Sequence, residues 1–353
     1  MGGAVPGRGA RRLAAAAGQD AGGHRAPRAE TRASHVPDHG ARRREAGDLG
    51  DCLPAAHAHR RIRRDGVDLP IWGCRGSLAA PGPDTVRYGG NTSCVELRLA
   101  DGTLLVLDAG TGILPLGLTL ADYSGPINLL LTHLHLDHIE GLGFFMPIWS
   151  AEREVHVWGP RSPLESLETR IARYLSPPLF PIHLHDLPAE LTFHDVPEEP
   201  WEIAGVRIAA GPVVHPGPTV GFRIEENGAS FAYVPDHEPE LGGDLAQLSP
   251  DWISGLGVAS GVDLLFHDSQ YFEAEYETRA GWGHSSVAAA VKFAGRAGVR
   301  RLVLFHHDPL HTDSELAELE ARARELWNGE GTVPELAFEG MTIEVAGGVA
   351  VGD

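Results

Sequence analysis

The run Leu130-Leu131-Thr132-His133-Leu134-His135-Leu136-Asp137-His138 limits what this chain can become more than any other stretch. It continues the apolar-rich segment Ile127–Leu131, which has the pattern of a strand buried on both faces. Alternate side chains of an extended segment project to one side, so His133 and His135 can reach one ion together. A turn into a helix would then point Asp137 and His138 at a second ion. Clustering four ligand-type side chains this closely is costly to desolvate without a cation, which disfavours a plain histidine-rich surface turn.

A two-metal centre needs further ligands, and they should come from other strand ends. His215 follows the expected strand Val206–Ala210 and is fixed by Pro216-Gly217, although a lone loop histidine would be an even reading. Asp236 follows Phe231–Val234, and a carboxylate there is the natural bridge between two ions. His306 and His307 follow Leu302–Phe305. His306 is favoured because it directly follows its strand, as His133 does, which would leave His307 supporting it.

Beyond these loops the chain divides into two parts. Residues 1–64 are rich in Ala, Arg and Gly with no apolar periodicity, a composition that cannot offset its ordering entropy. They read as a non-core extension whose five histidines bear on no metal. Residues 65–353 read as one body of mixed strands and helices. Asp101-Gly102 marks a hairpin, and helices are expected over 139–148, 163–175, 286–297 and 314–328, the last opening with a Thr312/Glu315 capping box. The Pro-rich stretch 177–188 reads as a loop, with a lid as the bolder reading.

Charge is uneven along the chain. Residues 1–64 hold 13 Arg against 6 Asp and Glu, a balance of +7; with −19 in total, residues 65–353 carry −26. So acidic a body repels phosphate backbones at long range, so a small molecule, not nucleic acid, is the expected partner. Cys52, Cys74 and Cys94 lack metal-type spacing. They suit a reducing cytoplasm, and no apolar run approaches membrane-spanning length.

The ordered set His133-x-His135-x-Asp137-His138, His215, Asp236 and His306 resembles the metallo-β-lactamase superfamily. Asp108 in Leu107-Asp108-Ala109-Gly110-Thr111-Gly112 is similar to that superfamily's first motif aspartate, which supports the ligands. The resemblance implies an α/β fold, a four-layer αββα sandwich with metals at one edge between two sheets. Within the superfamily, His267-Asp268-Ser269-Gln270 and Gly283-His284-Ser285-Ser286 resemble motifs of the tRNase Z and phosphodiesterase-like branch, with Asp268 standing where relatives usually carry the longer Glu. A homodimer is a further implication.

The expected chemistry is metal-assisted hydrolysis of a small phosphodiester such as a cyclic nucleotide. Two divalent ions are expected, zinc by preference, with manganese or iron using similar ligands. Asp137, His284 and Asp268 are the expected catalytic residues, with His284 oriented by Asp268 and assisting the departing oxygen. His284 precedes a helix N-terminus, where free N–H groups favour anions; the plainer reading is that His284 and Ser285 cap that helix. Arg75 and Arg87 divide evenly between surface charge and substrate binding. Thioester, lactone or β-lactam hydrolysis on the same metals, and a ligand sensor without turnover, are the competing readings. A flavin-coupled di-iron reductase would need a flavin domain that residues 1–64 cannot supply.

Overall fold

A computed structural model describes residues 66–346 apart from 240, 242 and 330. The extension expected over 1–64, with Cys52 and its five histidines, lies outside the described residues. Strands β1 (Val67–Gly73), β2 (Cys94–Arg98), β3 (Leu104–Leu107), β4 (Ile127–Leu130), β5 (Glu154–Gly159) and β6 (Glu190–Asp195) build one sheet. Strands β7 (Trp201–Ile203), β8 (Val206–Pro212), β9 (Val220–Glu226), β10 (Ala229–Val234), β11 (Leu264–Asp268), β12 (Leu302–Phe305) and β13 (Glu335–Leu336) build the second. Strand β14 (Thr342–Val345) returns to the first, antiparallel to β1.

Each sheet joins an antiparallel half to a parallel one. Pairing is parallel from β3 to β6 and from β10 to β13. Alternation decides which side chains meet. In β3, Leu105 and Leu107 face the second sheet, while Leu104 and Val106 face outward. Phe222, Phe231, Tyr233, Phe266 and Phe305 answer from the second sheet across the shared core. Helices α1 (Ile113–Leu118), α2 (Leu136–Ile139) and α3 (Leu167–Ala172) supply residues to the apolar layer behind the first sheet. Helices α4 (Leu256–Ala259), α6 (Val287–Ala297) and α7 (Asp313–Leu326) do the same behind the second. Helix α5 (Glu273–Tyr276) is a single turn in the β11–α6 connection. The layering is the expected αββα, and parallel strands covered on both faces explain the runs of apolar residues.

Helices α6 and α7 begin where expected, on the caps Ser286 and Thr312, the latter in its box with Glu315. The helix expected over 139–148 does not form. One turn of α2 gives way to 3₁₀ turns at Leu142–Phe144 and Met146–Trp149, because Gly141, Gly143 and Pro147 interrupt the backbone ladder. The helix expected over 163–175 contracts to α3. The Pro-rich stretch 177–188 buries Phe180, Leu184 and Leu187 in the outer core of the first sheet, so it packs as a loop. No helix among the described residues is long and apolar enough to cross a membrane.

Arg75 is neither a surface charge nor a substrate ligand. It is fully buried, and burial pulls its guanidinium pKa down, against the nearby Cys74, Asp313, Glu339 and Asp308. Its Nε donates to the Gly89 carbonyl (2.8 Å), and its Nη1 to those of Asp308 (3.0 Å) and His311 (2.8 Å). The loop after β1 is thereby tied to the loop after β12. Arg87 is exposed and stacks on Tyr88. Arg75→Ala leaves three carbonyls without their donor, at about 1–3 kcal/mol each. Urea unfolding should therefore show a loss of about 3–5 kcal/mol. Arg75→Lys should recover only part of it, since an ammonium lacks the planar fork; a loss under about 1 kcal/mol would refute the clamp.

Candidate metal centre

The ligand-type residues stand just past the strand ends at one rim of the sandwich, where chain direction delivers them together. His133 and His135 follow β4, His215 follows β8, Asp236 follows β10 and His306 follows β12. Asp137 and His138 sit in the first turn of α2. The structure brings all seven together as two adjoining sets. His133, His135 and His215 form one; Asp137, His138, Asp236 and His306 form the other, with donor atoms within 4.8 Å of one another in each. Asp236 faces both. Its Oδ2 lies 3.7 Å from Nε2 of His133 and of His215, while its Oδ1 lies 3.0 Å from His138 Nε2 and 3.2 Å from His306 Nε2.

Hydrogen bonds on the far side of each ring identify the nitrogen that faces inward. His138 Nδ1 donates to Asp108 (2.8 Å), His306 Nδ1 to the Gln270 side-chain carbonyl (2.9 Å) and His215 Nδ1 to the Gly283 carbonyl (2.8 Å). His133 Nδ1 donates to the Thr132 hydroxyl (3.1 Å), whose own proton goes to Asp108. These partners assign the tautomers and leave Nε2 lone pairs pointing inward. His138 Nε2 and His306 Nε2 are 3.4 Å apart, and both face Asp137 Oδ2, at 3.3 and 3.1 Å. His133 Nε2 and Asp236 Oδ1 are buried with no hydrogen-bond partner. Converging lone pairs and carboxylates repel unless a cation lies between them, so this donor set fits divalent metal.

Electrostatics agree. Burial, with neighbouring imidazoles, holds His133 well below the ordinary range; burial also lowers His135 and His215 despite Asp236. Neutral imidazole is the form that binds metal. Burial opposes a charge on His138, yet Asp236, Asp137 and Asp108 hold its pKa well above normal. Burial likewise resists the Asp137 carboxylate, while His138 and His306 keep its pKa far below the usual range. A proton meets in these groups the same demand for positive charge that a metal would.

The supports of the centre are strained. Ser77, Asp108 and His306 have φ of 59°, 59° and 62°, a left-handed conformation uncommon for such residues. Ser77 donates its backbone N–H to Asp137 Oδ2 at 2.7 Å. The preceding Gly76 lies against the His306 ring, and a Cβ there would come within 2.2 Å of Nδ1. Asp108 accepts from both the amide (2.8 Å) and the hydroxyl of Thr132 while holding His138, the supporting position the sequence motif implied. His307 departs from expectation. Its side chain turns away to the Ala337 carbonyl and, among the described residues, hydrogen-bonds none of the candidate ligands.

Beside the ligand sets, Asp268 and His284 form the pair whose reach the shorter carboxylate had put in question. His284 Nδ1 lies 2.7 Å from Asp268 Oδ2, and its ring stacks on His306. Three backbone amides, of His237, Gln270 and Ser285, also donate to Asp268. Burial disfavours charge on His284, but Asp268, with Asp236 and Asp137 behind it, pushes its pKa up to about 9; a bound cation would counter those last two. The donor atom of His284 also lies near those of His215 and Asp236, but its Nδ1 is committed to Asp268. The helix cap is Ser286, so His284 is free of that role.

Two supports were given no role in the sequence reading, although Gln270 stands in a motif quoted there. Gln270 fixes His306. Glu238 is buried and accepts from the amides of Gly281 and Gly283 (both 2.7 Å) and from the Tyr276 hydroxyl (2.8 Å). That bond holds the loop before His284. Gly283, at φ 92°, packs against His215, where a Cβ would meet Nδ1 at 2.4 Å. The adjacency of Glu238 to Asp236 was the one available hint.

Residues 103–307 match the β-lactamase superfamily domain. Ribonuclease Z of Mycobacterium sp. (strain KMS) is 30% identical over 257 residues, covering 69% of this chain and 86% of that protein. The metallo-β-lactamase fold protein YhfI of Bacillus subtilis superposes with a TM-score of 0.57 at 18% identity, over 79% of this chain and all (100%) of its own. A diphosphatase of the PhnP family does so with a TM-score of 0.56 at 19% identity, over 78% and 97%. By its matched domain and the 30% identical ribonuclease Z, the chain belongs to the metallo-β-lactamase superfamily.

Proposed function

We propose that this chain is a two-metal phosphodiesterase acting on small phosphodiesters such as cyclic nucleotides. The observation that carries the reading is His284, held by Asp268 beside the ligand sets. His133, His135 and His215 would hold one ion, Asp137, His138 and His306 the other, and Asp236 both. Divalent metal, zinc by the preference of a nitrogen-rich set and manganese or iron as alternatives, would supply Lewis acidity toward phosphoryl oxygens and activate water.

The protein's own part is proton placement. Asp268 binds the Nδ1–H of His284, so a proton on Nε2 is the one available to a departing oxygen. Three backbone donors hold the Asp268 side chain in place, which fixes the direction in which it orients the ring. Glu238 and Gly283 fix the loop from below, and the Gly283 carbonyl aims His215. Carbonyl substrates make no such demand for a donor at His284, which places thioester, lactone and β-lactam hydrolysis behind.

An RNA substrate is the second reading, favoured by the ribonuclease Z name of the 30% identical relative. It corrects the weight put on bulk charge, since a local site can accept what a distant acidic surface repels. The balance of −26 over residues 65–353 still opposes a long phosphate backbone. Cyclic nucleotides cleaved at a rate little changed by salt would favour the small substrate; activity confined to RNA and steeply salt-dependent would favour the other.

Metal-loaded protein should hydrolyse bis(p-nitrophenyl) phosphate and contain about two ions per chain by elemental analysis. Asp137→Ala should lower the rate at least ~100-fold, and chelation should abolish it until metal is restored. Protein that binds no metal would end the proposal. A second expectation concerns His284→Ala. Its cost should rise with the basicity of the leaving oxygen, reaching ~10²–10⁴-fold for a cyclic nucleotide and far less for a nitrophenyl ester. Equal losses on both substrates would remove His284 from proton transfer.

A further inference from the structure

Next to His284 lies a cavity of about 320 Å³. Gln270, Tyr271, Arg279, Trp282 and Leu310 line it with His284. Its volume is at the lower end of the roughly 300–1,000 Å³ of small-molecule sites, enough for one nucleoside-sized group. Two of its walls are large apolar side chains left in solvent, Trp282 at 60% and Leu310 at 80% exposure. The backbone around Trp282 is nonetheless rigidly held. The amides on either side, of Gly281 and Gly283, are both bound by the buried Glu238 carboxylate. The exposed indole thus stands on a backbone held on both sides.

Arg279 is the one basic side chain on the cavity wall, apart from His284. Its guanidinium lies 4.9 Å from the centre of the Tyr271 ring, and its closest carboxylate, Glu275, is 3.7 Å away and also engaged by His311. Among the described residues its side chain makes no hydrogen bond to a protein acceptor, so its planar donors remain for a ligand. The geometry points to this cavity as the subsite for the leaving group, taking the aromatic base of a nucleoside whose ribose oxygen departs past His284. Trp282 offers the base a stacking face, and Arg279 offers donors to its acceptor edge. The assignment of sides rests on the proposed role of His284; the recognition of the base does not.

Calorimetry of the metal-loaded protein with AMP, and separately with inorganic phosphate, tests this. Base–aromatic stacking of ordinary strength predicts that Trp282→Ala weakens AMP about tenfold or more. Arg279→Ala should do likewise, and Trp282→Phe should keep most of the affinity. Phosphate affinity should stay within about twofold in all three variants, which also shows that they fold. Wild-type protein that binds AMP no tighter than phosphate, or AMP affinity untouched by both alanine substitutions, overturns the subsite. AMP binding that depends on Trp282 in a protein hydrolysing no phosphodiester would keep the subsite and remove the reaction proposed above. Hydrolysis with AMP binding indifferent to both substitutions would do the reverse.

Discussion

Everything at the rim of this sandwich follows from one electrostatic difficulty. Inward lone pairs on His133, His138, His215 and His306 converge on the carboxylates of Asp137 and Asp236, and all six side chains are buried. Such an arrangement costs free energy unless positive charge enters it. The surrounding structure is arranged to preserve that arrangement. Each of these rings has its outer nitrogen taken by Asp108, Gln270, Gly283 or Thr132, so none can rotate its lone pair away. Three residues accept left-handed backbone to complete the enclosure.

The two parallel half-sheets explain why the ligands meet. Parallel strands deliver all their C-terminal ends to one side, and β4, β10, β11 and β12 each place a polar residue there. A covered sheet thus produces both features that stand out in the sequence, apolar runs and the polar residues that end them.

That logic also sets what could be read in advance. The convergence of the seven candidate ligands was legible because strand-end histidines and aspartates at alternating or adjacent positions have few other uses. Asp108 and Asp268 were legible through motif resemblance alone, whereas His284 was also marked by its place before a helix N-terminus. His307 was misjudged because adjacency in sequence says nothing of side-chain direction when His306 takes a φ of 62°. Arg75 defeated both readings offered for it, since no local pattern announces an arginine whose partners are carbonyls 14, 233 and 236 residues away. The roles of Gln270 and Glu238 went unread for the same reason: their meaning lies in loops brought together by the fold. Short edge strands such as β7 and β13 carry too few residues to show periodicity.

The clamp made by Arg75 has a consequence for how the molecule comes into being. His138 and His306 share an inward point although 168 residues separate them, and the loop bearing His306 is secured to the loop after β1 by that buried guanidinium together with backbone bonds between His307 and the residues Cys74 and Gly76. During synthesis, the histidines after β4 therefore emerge long before their partners, and closing so large a loop must precede any reward from the contact. The second ligand set exists only once β12 has docked. A metal that needs both sets would then be captured by the finished fold and would lock it after the fact, instead of serving as the seed around which the chain assembles.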